Sequence, residues 1–169
     1  MTDTIVVQER GQPISFTFDD VMRFHGVRSP GGAAIAFKAM QRALPLLSPN
    51  QPPPRRDIVV RTAFRGPGAR DCFEAVTRAV SDGRYTVDRS LVRTDRGRLL
   101  EDFVFVVCLS DRTVTLLLRD GFVTEEFIDL ARAQDRTDAQ ERRLDELKAH
   151  LAQHVMSSSA DDVIDIAHE

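Results

Sequence analysis

Two glycine-bearing corners of this chain hold the side chains best suited to binding or proton transfer. The first reads Phe24-His25-Gly26-Val27-Arg28-Ser29-Pro30-Gly31-Gly32. A histidine sits one tight turn ahead of a helix start, and Gly31 and Gly32 put no side chains over the first backbone amides. An anion or a carbonyl can approach main-chain N–H groups at such a place. His25 is the candidate catalytic residue, as a proton donor, and Arg28 adds a charge beside it. The alternative is structural: Gly26 ends one helix, Ser29 caps the next, and His25 fills the corner between them.

The second corner reads Phe64-Arg65-Gly66-Pro67-Gly68-Ala69-Arg70-Asp71-Cys72-Phe73-Glu74. It runs from a strand through a glycine turn into a helix, where open α/β sheets bind their ligands. It lacks the Gly-x-x-x-x-Gly-Lys-Ser/Thr spacing of a nucleotide loop. Asp71 and Glu74 share one helical face near the helix start, where complementing the helix dipole is a sufficient reason for both. Cys72 reads first as a small core residue and second as a nucleophile. Candidates for contact with a ligand are therefore His25, Arg28, Ser29, Gly31 and Gly32 at the first corner. At the second they are Gly68, Asp71, Cys72 and Glu74. Elsewhere there is no nucleophile elbow and no His-Glu-x-x-His helix. His150 and His154 have the spacing of two metal ligands on one helical face, but no acidic or Cys partner is predictable for them, and a solvated or interface pair is preferred.

Hydrophobic spacing supplies the elements that must hold these corners. Thr17 and Asp20 form a capping-box start for a short helix with Phe18, Val21, Met22 and Phe24 pointing inward. A second helix starts at Ser29-Pro30, buries Ile35, Phe37, Met40, Ala43 and Leu44, and stops at Pro45. A proline-rich loop leads to a strand over Ile58–Phe64 and a third helix over Ala69–Ser81. Three strands follow, at Thr86–Arg93, Asp102–Cys108 and Thr113–Leu118. After Gly121 the chain reads as helical to residue 156 in two pieces, the second opened by Thr137 and Gln140. The fold class is α+β, with helices packed on a mixed sheet of about four strands. Residues 1–156 make one domain, with its C-terminal helices over 122–156. Residues 1–15 are a polar lead-in, and 157–169 are a flexible acidic tail. In the last helix Leu144, Leu147, Leu151 and Val155 form an apolar stripe that docks on the chain's own sheet or pairs with a neighbour; a homodimer is expected.

Composition narrows the classes. The chain has 169 residues, 42% hydrophobic and 29% charged, the balance of one soluble domain. No apolar run approaches the ~20 residues of a membrane span, and the N-terminus has no secretory apolar core. Two cysteines cannot build a disulfide framework or a four-thiolate zinc site, so a cytoplasmic setting is the default. With no Trp and one Tyr, stacking platforms for single strands are scarce, and nucleic acid is disfavoured. Net charge is −3, yet residues 51–100 carry 11 Arg against 6 acids. Those arginines are scattered among acids and read mainly as a solvated surface.

The first corner resembles the signature Phe-His-Gly-His-x-Cys-Pro-Gly of the formylmethanofuran dehydrogenase E-subunit family, with Phe24, His25, Gly26, Pro30 and Gly31 in register. Downstream, Asp71-Cys72-Phe73-Glu74-Ala75-Val76 stands where the family opens a helix with Cys-x-x-Asp-Ala-Ile-Gln. The resemblance covers residues 17–118. It implies a helix–strand–helix core followed by three strands, a two-fold dimer, and a link to one-carbon metabolism. It also implies that His25, Ser29 and the helix start at Asp71–Glu74 share one cleft. Val27 replaces the family's second histidine, Ser29 its first cysteine, and Asp71 its second. Stoichiometric zinc or iron is therefore not expected; His25, Asp71 and Glu74 are the residual candidates for a harder metal site. Two functions follow. One is a protein that binds a small anionic or cofactor-like ligand between two glycine-containing helix starts. The other is an accessory or structural dimeric subunit, working in a protein complex, whose site is vestigial.

Overall fold

One helix is apolar on nearly every side, and the other elements pack around it. In the structure, a computed structural model that describes residues 3–168, helix α2 spans Pro30–Leu47 and buries Ala33, Ala34, Ile35, Ala36, Phe37, Ala39 and Met40. Its alanines let neighbouring backbones come close. Against it lie helix α3 (Pro67–Thr77), helix α5 (Asp138–Ser157) and one face of a sheet. That sheet has five strands: β3 (Ile58–Thr62), β4 (Tyr85–Val87), β5 (Val104–Leu109), β6 (Arg112–Leu118) and β7 (Ile164–Ile166). They lie in the order β4-β3-β5-β6-β7, antiparallel throughout except for the β3–β4 pair. The parallel pair is joined through α3, so the sheet is mixed and the fold is α+β. Period-two alternation sets its face: Ile58, Val60 and Thr62 are buried while Val59 and Arg61 face outward.

Several local signals act as the spacing predicts. Helix α1 (Phe18–His25) has a complete Thr17–Asp20 capping box. The Thr17 amide, donating to the Asp20 carboxylate, holds that carboxyl below its usual range. Helix α4 (Glu125–Arg132) precedes α5, whose Thr137–Gln140 box is likewise complete. No helix among the described residues is long and apolar enough to cross a membrane.

Other expectations need correction. The polar lead-in is a β-hairpin, β1 (Thr4–Glu9) and β2 (Gln12–Thr17), turning on Arg10 and Gly11 at positive φ. Ile5 and Val7 alternate into the core, a pattern too short to outweigh the surrounding polar residues. Pro45 does not stop α2, because it lies exposed on the last turn while Leu44 and Leu47 bury that turn. Phe24 does not point inward; it is 57% exposed. Helix α3 ends at Thr77, not Ser81. The Thr77 hydroxyl donates back to the Phe73 carbonyl and accepts from the Ala79 amide, and Arg78 takes a left-handed conformation. The strand expected over Thr86–Arg93 pairs only at its start, since Asp88 accepts from the Ser90 amide and turns the chain.

The tail is the largest difference. Ser159 caps a one-turn helix, α6 (Ala160–Val163), and β7 then pairs with β6 through Leu116–Ile166 and Leu118–Ile164. Val163 and Ile164 are fully buried. Serines and acids dominate this segment and mask its apolar positions. The apolar stripe of α5 is also internal: Leu144, Leu151 and Val155 are buried within the chain. Truncating Ile164→Ala should cost about 2–5 kcal/mol of unfolding free energy, the usual figure for a buried large-to-small change. Urea denaturation measures it; a change below about 0.5 kcal/mol, normal for an exposed site, would mean that β7 is not part of the packed sheet.

Candidate functional site

The first corner is built by a helix end, a turn and a helix start. Helix α1 closes at Gly26, whose amide donates to the Met22 carbonyl and whose φ of 89° favours glycine. Four residues later Pro30 opens α2. Between them the His25 side chain is only 4% exposed. Its Nδ1 lies 2.7 Å from Asp71 Oδ2 on α3, and its Nε2 accepts the Ser29 backbone N–H at 3.2 Å. An Nε2 that accepts requires the proton on Nδ1, so Nδ1–H donates to the carboxylate. Both ring nitrogens are thus engaged within the chain. The imidazole ties the end of α1, the start of α2 and the first turns of α3 together, and offers no free nitrogen to a substrate in this arrangement.

Glycine plays a different part from the one its spacing suggests. A Cβ on Gly68 would stand 2.2 Å from the Ser29 carbonyl oxygen and 2.9 Å from the Ala33 nitrogen. Only glycine lets α3 start against the start of α2. A Cβ on Gly31 would meet Leu151 Cδ2 at 2.8 Å, and one on Gly32 would meet the Phe64 ring and the Ala69 nitrogen at 3.3 Å. Gly31 makes room for Leu151, while Gly32 packs against Phe64 at the edge of the cavity described next.

Of the candidate residues, His25, Ser29, Gly68 and Asp71 come together. Arg28 is exposed and has no partner among the described residues. Cys72 is fully buried in the core, and burial pushes its thiol up, so it stays protonated and unreactive. Glu74 belongs elsewhere, accepting from the Ser81 amide and hydroxyl and from Arg78. The trio of His25, Asp71 and Glu74 is therefore not assembled. Among the described residues no group of three or more His, Cys, Asp or Glu is placed to hold a metal ion. His154 packs its ring 4.5 Å from that of Phe122.

A cavity of about 260 Å³ opens beside this corner, with Ser29 and Gly32 of α2 and Gly66–Gly68 at the start of α3 on one side. Phe127, Ile128 and Ala131 of α4 and Leu144 and Lys148 of α5 line the other. Phe64 and Phe103, stacked with centroids 4.7 Å apart, form part of the wall. Five cations line it. Arg98 pairs with Glu125 and Asp129, Arg132 with Glu101 and Asp102, and Arg136 with Glu141. Asp102 is also paired with Arg89 at 3.0 Å. Arg65 and Lys148 have no partner among the described residues.

Arg65 sits in the second corner's own segment, and Lys148 is one of only two lysines in the chain. Neither is singled out by spacing, because the cavity joins segments some 80 residues apart without a local motif. Comparison with known proteins found no matching family model and no matching curated protein.

Replacing His25 by Ala should leave the Ser29 amide and the Asp71 carboxylate without their partner. The expected cost is about 1–3 kcal/mol, read by chemical denaturation. An unchanged midpoint would show that the imidazole is not a structural tie.

Proposed function

We propose that this protein binds a small anionic ligand in the cleft that the starts of α2 and α3 form with α4 and α5. A cytoplasmic role linked to one-carbon metabolism is what the resemblance to the formylmethanofuran dehydrogenase E-subunit family suggests. The observation that carries the binding reading is the state of the cavity's charges. Three of its arginines are neutralised by neighbouring acids, while Arg65 and Lys148 are not. An anion between those two side chains gains charge-assisted hydrogen bonds, and the first turn of α3 adds its dipole. Binding rather than acid–base catalysis is favoured, since both nitrogens of His25 are held within the chain.

A second reading, an accessory subunit that works as a homodimer, has one observation in its favour. Phe24 and Val27 are 57% and 92% exposed beside each other at the α1–α2 corner. Apolar side chains exposed together mark contact surfaces.

The two readings separate by experiment. Arg65→Ala and Lys148→Ala should each weaken binding of small carboxylates or inorganic phosphate by about tenfold, the value of one charge-assisted contact. Anion affinity that is unaffected by both changes contradicts the binding reading. Light scattering at twice the 19.0 kDa chain mass, lost on Phe24→Ser with Val27→Ser, would support the second.

A further inference from the structure

We infer that the ligand of this cleft is an aromatic carboxylic acid of one or two rings, its ring held by the phenylalanine wall and its carboxylate by Arg65 and Lys148. The inference rests on the anion reading of the same cleft and adds the chemical class of the ligand.

The cavity's lining is divided. Phe64 and Phe103 stack in one part of the wall, and Phe127, Ile128 and Ala131 of α4 line the same cavity. A small inorganic anion would leave this apolar half filled with water, which is unfavourable against burying an apolar body. Planar rings gain more, because offset or edge contacts with three phenylalanines add to the area they bury. The size agrees. A cavity of roughly 150 Å³ holds benzene, so about 260 Å³ admits one or two rings. Charge sets the head group. With Arg98, Arg132 and Arg136 already paired, Arg65 and Lys148 are the cavity's cations left without a partner among the described residues, a match for one carboxylate rather than a polyphosphate.

Helix α4 forms one wall of the cleft. This eight-residue helix is held against the 98–102 segment by exposed ion pairs, Arg98 with Glu125 and Arg132 with Glu101. Exposed pairs of this kind are individually weak. Beyond these pairs, Ile128 buried in the core and the Arg143–Glu126 pair anchor the helix, so it stands as a fixed wall of the cleft.

Benzoate, cyclohexanecarboxylate, acetate and benzyl alcohol, titrated by calorimetry into the full chain, test the inference. Benzoate should bind about tenfold more tightly than acetate and than the uncharged alcohol. It should also bind about threefold more tightly than the non-planar cyclohexanecarboxylate. Ala131→Trp, which adds bulk at the exposed rim of the cleft, should weaken benzoate binding while circular dichroism shows the fold retained. Phe127→Leu, a gentler change, should lower benzoate affinity severalfold. Acetate or cyclohexanecarboxylate binding as tightly as benzoate, still dependent on Arg65 and Lys148, overturns the aromatic class and leaves the anion reading standing. Benzoate no better than benzyl alcohol, or no binding by any acid, overturns the anion reading and this inference with it.

Discussion

The close approach of two helix starts governs the rest of this structure. Gly68 brings the first turn of α3 against the Ser29 carbonyl and the Ala33 nitrogen, a distance that no Cβ permits. Such a contact fixes position but not rotation, since bare backbones can slide on each other. The His25–Asp71 hydrogen bond and the Ser29 amide on the same imidazole supply the missing constraint from a third element, α1. Once α2 and α3 are set in this way, the loop before α3 carries Phe64, Arg65 and Gly66 to the mouth of a cavity. The elements that complete that cavity, α4 and α5, arrive from the far end of the chain.

Much of this frame is legible in the sequence because its signals are local. Capping boxes at Thr17 and Thr137 and the helix opening at Ser29-Pro30 depend on residues within a few positions of one another. Signals fail where distant packing decides. Pro45 is tolerated because Leu44 and Leu47 hold the last turn of α2. The Ser-rich C-terminal segment is ordered because β6 offers an open edge to Ile164 and Ile166. In both cases tertiary contact outweighs composition, and only the fold shows the contact.

The site divides along the same line. Sequence spacing brings forward His25, Ser29, Gly68 and Asp71, and these four do meet. What spacing suggests about their chemistry is another matter. The histidine is consumed by hydrogen bonds inside the corner, and the space over the glycines is filled by Leu151, Phe64 and backbone atoms. Residues suited to meeting a ligand are Arg65 and Lys148, together with the phenylalanines around them. They belong to no motif, because what makes them available is the lack of a pairing acid among the described residues. That property exists only after folding. A corner built to position two helices and a cavity built from unpaired charge are thus separate features, adjacent because Ser29 and Gly68 belong to both.

The central claim is that the cleft beside this corner receives an anion at Arg65 and Lys148. The most direct measurement is an amide NMR titration of the full chain with benzoate. Saturating shifts should centre on Ser29, Gly32, Arg65, Gly68 and Lys148, and should disappear in the Arg65→Ala, Lys148→Ala double variant with the remaining spectrum unchanged. Shifts that are absent, that cluster at exposed Arg28 instead, or that persist in the double variant would contradict the account.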